Sequence, residues 1–184
     1  RIAGFYQENL LKLPVNHPAK VYCKKRNITE EMIKEFNIGF APDQWDSLHN
    51  FLLKIKAPMD LAESLGLLKK RKNDNGLYDQ YRNRLMFPII TQTENFVGFG
   101  GRVLDDSLPK YINSSESLVF KKSNIFYGLN QSAKYIRTKG YVVVVEGYMD
   151  FIALYSRGVR NVVATLGTAL TPGHAKLVSR YSSK

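Results

Sequence analysis

The 184 residues carry 27 Lys+Arg against 16 Asp+Glu, a formal charge of +11, and 44% are hydrophobic and 12% aromatic. Such a chain can bury a core and is no disordered tail, and none of its apolar runs approaches the roughly 20 residues of a membrane span. A single cysteine, Cys23, excludes an internal disulfide and a cysteine-rich zinc site, so a reducing cytoplasm is the expected compartment, while the excess of base favours a polyanionic partner.

In chain order, the first half reads as short helices. Pro18 suits the first turn of a helix over 17–25, with Asn27 breaking it. Thr29 is a cap for the next helix, whose first turn holds Glu30 and Glu31 and whose apolar face is Met32, Ile33 and Phe36. Trp45 and His49 fall in an amphipathic helix, read as core packing and a surface imidazole. Asp60 and Glu63 stand at capping-box spacing before Leu65, and Gly66 ends that turn.

After Leu68 the character changes. NDNG at 73–76 is a turn signal, and LMFPII (85–90) and FVGFGGRVL (96–104) form a predicted hairpin through TQTEN. Residues 111–112 and 125–127 are candidate short strands. From Asn130 the pattern is helix (131–137), strand (141–145), helix (150–157), strand (161–165) and helix (172–181), a βαβ unit with Thr171 before Pro172 as a helix start.

The run VVVVEGYMD (142–150) carries the sharpest chemical signal. Four valines read as a strand buried on both faces, and open α/β sheets hold ligands at the carboxyl ends of such strands. Glu146 and Asp150 are therefore candidate oxygen ligands for a divalent metal. The competing reading is a strand-end surface charge and an N-cap. A second signal lies upstream. Arg82 and Arg84, two apart before an apolar strand, are expected on one face. Arg102 follows GFGG, and Lys110, Tyr111, Asn113, Lys121 and Lys122 come next, interleaved with aromatics, as in a groove that tracks a phosphate backbone. GFGG lies inside an extended run and is no dinucleotide signature. GTALT (167–171) reads as a tight connection with a Thr cap, ahead of an anion site. Three histidines, His17, His49 and His174, give no zinc cluster.

These segments, in order and spacing, resemble the bacterial DnaG-type DNA primase family. The resemblance is carried by YRNRLMFPI (81–89), VGFGGRVL (97–104), PKYINSSES (109–117), IFYGLNQ (125–131), VVVVEGYMDFIAL (142–154) and VATLGTALT (163–171), with PAKVYCKKRNITEEMIKEFNIGFAP (18–42) similar to the start of the family's RNA polymerase core. VEGYMD alone would indicate only the wider topoisomerase–primase (TOPRIM) class. The resemblance implies an α+β, basic N-terminal subdomain over 1–125, followed by the beginning of an α/β, Rossmann-like TOPRIM subdomain with a parallel sheet over 126–184. It implies catalytic Glu146, Asp150 and Lys110, with Glu146 and Asp150 holding Mg2+ or Mn2+. It also implies that Arg26, Arg82, Arg84, Arg102, Tyr111, Asn113 and Lys122 bind template or nucleotide phosphates.

The implied partners are a single-stranded DNA template, ribonucleoside triphosphates and the RNA–DNA hybrid. Zinc and the replicative helicase are expected only of domains outside these residues. From Phe151 onward there is no Asp or Glu, so the remaining metal ligands, two Asp-x-Asp pairs in the family, are expected beyond Lys184. On that expectation residues 1–184 bind single strands but do not polymerise, and 142–145 lacks one neighbouring strand. A TOPRIM nuclease or topoisomerase, or a single-stranded-DNA binding module, stays open on the residues alone; eleven tyrosines offer no distinguished nucleophile.

Overall fold

A computed structural model describes residues 1–72 and 76–182; the predicted turn over NDNG falls, Gly76 apart, outside them. Contacts divide the chain into two compact units, Arg1–Pro88 with Phe99–Ser115, and Ile89–Gly98 with Glu116–Lys184.

The first unit is mixed α/β. Helix α1 (Ile2–Lys12), not among the expected elements, buries Ala3, Tyr6 and Leu10, which stand at the i, i+3, i+7 spacing of a helix face. In α2 (Pro18–Lys25) His17 is the N-cap, its Nδ1 accepting from Ala19 N at 3.2 Å. The helix stops where Asn27 takes a left-handed φ of 55°. Thr29 caps α3 (Glu30–Glu35) by accepting from Met32 N, and Ile33 and Phe36 are buried as expected. Strand β1 (Gly39–Ala41) and helices α4 (Ser47–Lys54) and α5 (Met59–Ser64) follow. Two expectations fail here. Trp45 precedes α4 and is 55% exposed, not core. Asp60 lies inside the first turn of α5, whose N-cap is Pro58, so there is no capping box.

Strands β2 (Leu68–Lys70) and β3 (Leu77–Asp79) pair antiparallel. The predicted hairpin is present as β4 (Arg84–Ile90) and β5 (Phe96–Val103), followed by β6 (Tyr111–Asn113), in a sheet of order β1-β4-β5-β6. Every residue of β4 is buried, as befits a central strand. Tyr6, Leu48, Leu52, Leu68, Tyr81, Met86 and Phe99 form the apolar cluster that holds this unit together.

In the second unit the predicted strand at 125–127 shrinks to one antiparallel bridge, Tyr127 with Ala164. Then come α6 (Leu129–Lys139), β7 (Val143–Val145), α7 (Tyr148–Ser156), β8 (Val162–Ala164) and α8 (Pro172–Val178). Strands β7 and β8 are parallel, with Val143 opposite Val162. The α/β beginning of a TOPRIM-like sheet is thus present. The valine run is not buried on both faces: Val144 is 38% exposed, because among the described residues β7 has only β8 as a neighbour. Asp150 does not cap α7. Gly147 does, and Asp150 sits in the first turn. Phe126, Leu129, Ile136, Val163 and Leu177 form the core. No helix among the described residues is long and apolar enough to cross a membrane.

Candidate functional site

In the first unit, pleat geometry gathers a set of basic and aromatic side chains. Arg102 pairs directly with Tyr111 across β5 and β6, and Gly100 with Asn113, so Arg102, Tyr111 and Asn113 share one face. From α2, Tyr22 comes under this set: the Arg102 guanidinium lies 4.1 Å and that of Arg26 5.5 Å from its ring centroid, and Arg102 is 5.9 Å from the Tyr111 ring. Planar guanidinium groups stacked on tyrosine faces keep their charge while losing mobility. Arg102 Nε and the Tyr22 hydroxyl are buried without hydrogen-bond partners among the described residues. Burial raises the Tyr111 pKa, the nearby Tyr22 adds to this and Arg102 opposes it. Lys110, just before β6, is exposed, its carbonyl accepting from Val103 N. Tyr22 is the member that sequence reasoning missed; only its i,i+4 spacing to Arg26 hinted at it.

Arg82 and Arg84 do not share a strand face. Asn83 adopts φ 47°, which breaks the extended geometry that the expectation required. Arg82 donates to Asp79 O and stacks 4.0 Å from the exposed Trp45 ring. Arg84 is only 7% exposed; its Nη1 donates to Gly101 O at 3.2 Å and Pro109 O at 3.1 Å. Burial lowers its pKa, and no carboxylate pairs with it among the described residues. Both arginines, with Asp43, Gln80, Asn83, Asp105 and Ser107 among others, line a cleft of about 320 Å³. Gly101 has a structural reason: a Cβ there would stand 2.7 Å from Tyr81 Cδ1 and 3.1 Å from Arg84 Cδ.

In the second unit Glu146 ends β7, exposed, on the wall of a cleft of about 390 Å³ also lined by Val144, Val145, Thr165, Gly167, Thr168, Ala169 and Leu170. The cleft is set by backbone: Leu166 and Gly167 are both left-handed, at φ 63° and 75°, and Gly167 N donates to Glu146 O at 3.1 Å. Within 167–171 the amides of Gly167, Thr168 and Thr171 donate to Glu146 O, Thr165 O and His174 Nδ1, as in a tight connection. Asp150 is exposed one turn away and does not line the cleft. Neither carboxylate has an ion pair or side-chain hydrogen bond among the described residues. One free carboxylate just past the strand and a second in the first turn of α7 offer the hard oxygen donors that a divalent cation takes. No group of three or more His, Cys, Asp or Glu that could hold a metal exists among the described residues. Lys122 belongs to a 3-10 turn (Lys122–Asn124) of this unit.

A family profile described as DNA primase catalytic core, N-terminal domain, matches residues 5–133. The chain belongs to this primase family. A Toprim domain profile matches residues 140–184. The DNA primase of Halalkalibacterium halodurans is 42% identical over 97% of this primase-family chain, and that of Synechococcus elongatus 43% identical over 98%. The chain spans 30% and 26% of those two proteins. Among solved structures, the RNA polymerase domain of Mycobacterium tuberculosis primase DnaG superimposes with a TM-score of 0.91 at 33% identity, covering 100% of this chain and 59% of that one. A DnaG primase catalytic domain bound to ssDNA gives 0.87 at 37% identity, covering 100% and 58%. The primase match over the basic unit disfavours the nuclease and topoisomerase readings.

Proposed function

We propose that the protein to which these residues belong copies single-stranded DNA into short RNA primers from ribonucleoside triphosphates, in the bacterial cytoplasm, by metal-dependent nucleotidyl transfer. The observation that carries this reading is Glu146: a free, exposed carboxylate at the carboxyl end of a parallel strand, in a chain whose other unit gathers arginines on tyrosine faces. Glu146 and Asp150 would hold the divalent cation, Mg2+ or Mn2+. When bound, it would offset the charge that grows on the attacking 3′-oxygen and the leaving pyrophosphate oxygen.

The remaining roles fall to the chain's own side chains. Arg26 and Arg102, held over Tyr22, with Tyr111 and Asn113, suit a single strand: phosphate on the cations, bases on the rings, no sequence read. Arg82 and Arg84 line a cleft shared with Asp43 and Asp105; the Arg84 guanidinium, in ion-pair contact with neither carboxylate among the described residues, is free to take a phosphate group. Lys110 is assigned a catalytic role and Lys122 that of a cation for the triphosphate or template. The subdomain division near residue 125 belongs to this proposal, since regular helix–strand alternation starts with α6. So do zinc and helicase binding by parts of the protein outside these residues. Two carboxylates are too few for a full two-cation site, so residues 1–184 alone should bind DNA without polymerising.

In the full-length protein, Glu146→Gln should keep the fold and the DNA affinity and reduce primer synthesis to background. Near-normal primer yield from that variant would overturn the assignment.

A further inference from the structure

The turn that carries Lys122 is held by residues about fifty positions away. His174, 0% exposed in the first turn of α8, places Nε2 2.8 Å from Lys122 O and 3.0 Å from Ile125 O. Carbonyl oxygens only accept, so Nε2 carries the proton and Nδ1 is the acceptor, facing Thr171 N at 3.3 Å. Thr171 accepts from His174 N through Oγ1 at 3.1 Å and donates the same hydroxyl to Ser123 O at 2.6 Å. Gly173 leaves no room for a side chain: a Cβ there would stand 2.6 Å from Ser123 O and closer still to Asn124 Oδ1. On the opposite side, Lys122 N donates to Glu116 Oε1 at 3.1 Å.

A capping box needs only Thr171 and one acceptor on His174. Nδ1 alone would satisfy it. The second ring nitrogen is committed to the backbone of the Lys122 turn, which capping does not explain.

We propose that His174 is a positioning residue: its neutral Nε2–H imidazole fixes the backbone of 122–125 and so the reach of the Lys122 ammonium toward a phosphate. This rests on the reading of Lys122 as a phosphate-binding cation. Because the imidazole acts through Lys122, its contribution disappears when that cation is removed.

The test is a double-mutant cycle in the full-length protein with His174→Leu, Lys122→Met and both together. The readouts are KM for ribonucleoside triphosphate, Kd for an oligo-dT strand, kcat and the melting temperature. Each single change should weaken KM or Kd about tenfold, the loss of one hydrogen bond to a charged group, with kcat little changed. The double variant should be no weaker than Lys122→Met alone. His174→Gln, whose amide keeps donors toward the two carbonyls, should restore most of the affinity. Additive losses in the double variant would overturn the positioning role and leave the Lys122 reading intact. A silent Lys122→Met would overturn the Lys122 reading itself, and the positioning role with it. If His174→Leu fails to fold, Gly173→Ala, which displaces Ser123 and Asn124 without touching the imidazole, takes its place in the same cycle.

Discussion

At the scale of single residues, burial and stacking set the chemistry. Cys23 is 2% exposed in α2, and burial pushes its thiol from 9.0 up to about 11, which the charge of Lys20 only partly opposes. The folded thiol holds its proton more tightly than the unfolded one. Its stabilising contribution is therefore whole below pH 9 and is lost as pH rises through about 11, a change of about 2–3 kcal/mol. Cys23→Ala should accordingly narrow the loss of stability between pH 8 and pH 11 in urea melts, and the native thiol should resist alkylation at pH 8. Arg102 makes a different kind of case. Its guanidinium carbon lies over the Tyr22 ring, 4.1 Å from the centroid, where a planar guanidinium can stack and an ammonium cannot. Arg102→Ala should weaken single-stranded DNA binding about tenfold whatever the sequence and lower the salt slope by about one. Arg102→Lys should recover the slope but little of the affinity; full recovery in fluorescence-anisotropy titrations would show that stacking contributes nothing.

At the scale of elements, side chains from distant strands finish the helices and fix the strands. Asp79, at the end of β3, accepts from Leu48 N at 2.6 Å and His49 N at 3.0 Å, capping α4 from 31 and 30 residues away. Burial raises its pKa, and the two backbone N–H groups oppose that shift. Asp79→Ala should cost about 1–2 kcal/mol, and Asp79→Asn, which keeps one acceptor without the charge, less. Tyr81 fixes β5 in the same way: its hydroxyl donates to Phe99 O at 3.0 Å and lies 3.2 Å from Ser114 Oγ, which accepts from Phe99 N. Burial pushes the Tyr81 phenol up to about 12. Tyr81→Phe should lower stability by about 1–3 kcal/mol by leaving a buried carbonyl underbonded, a cost visible in the denaturation midpoint.

At the scale of the whole molecule, a charge of +11 predicts association with single-stranded nucleic acid that falls steeply with salt. Raising salt from 50 to 200 mM should weaken binding by orders of magnitude if six or more phosphates are contacted. An affinity indifferent to salt would mean that base stacking dominates. Strand β7 has a free edge among the described residues and an exposed Val144, a template for self-association. Val144→Lys should reduce light scattering of residues 1–184 on standing while costing no more than about 1 kcal/mol of stability.

Local chemistry was legible in the sequence. The Thr29 and Thr171 caps, the β4–β5 hairpin, the β7–α7–β8 alternation and the carboxylate ending β7 all follow from neighbours within a few residues, where propensity, hydrogen bonding and periodicity operate. What depended on distant pairing was not legible. One left-handed residue, Asn83, turned Arg82 away from Arg84; an arginine 37 positions along drew Trp45 out to stack; Tyr22 came under Arg102; Asp79 capped α4; and His174 reached back to Lys122. Periodicity tells which face of an element is apolar. It does not tell which other element will cover that face, and only the tertiary structure decides that, because the partner is chosen by packing across tens of residues.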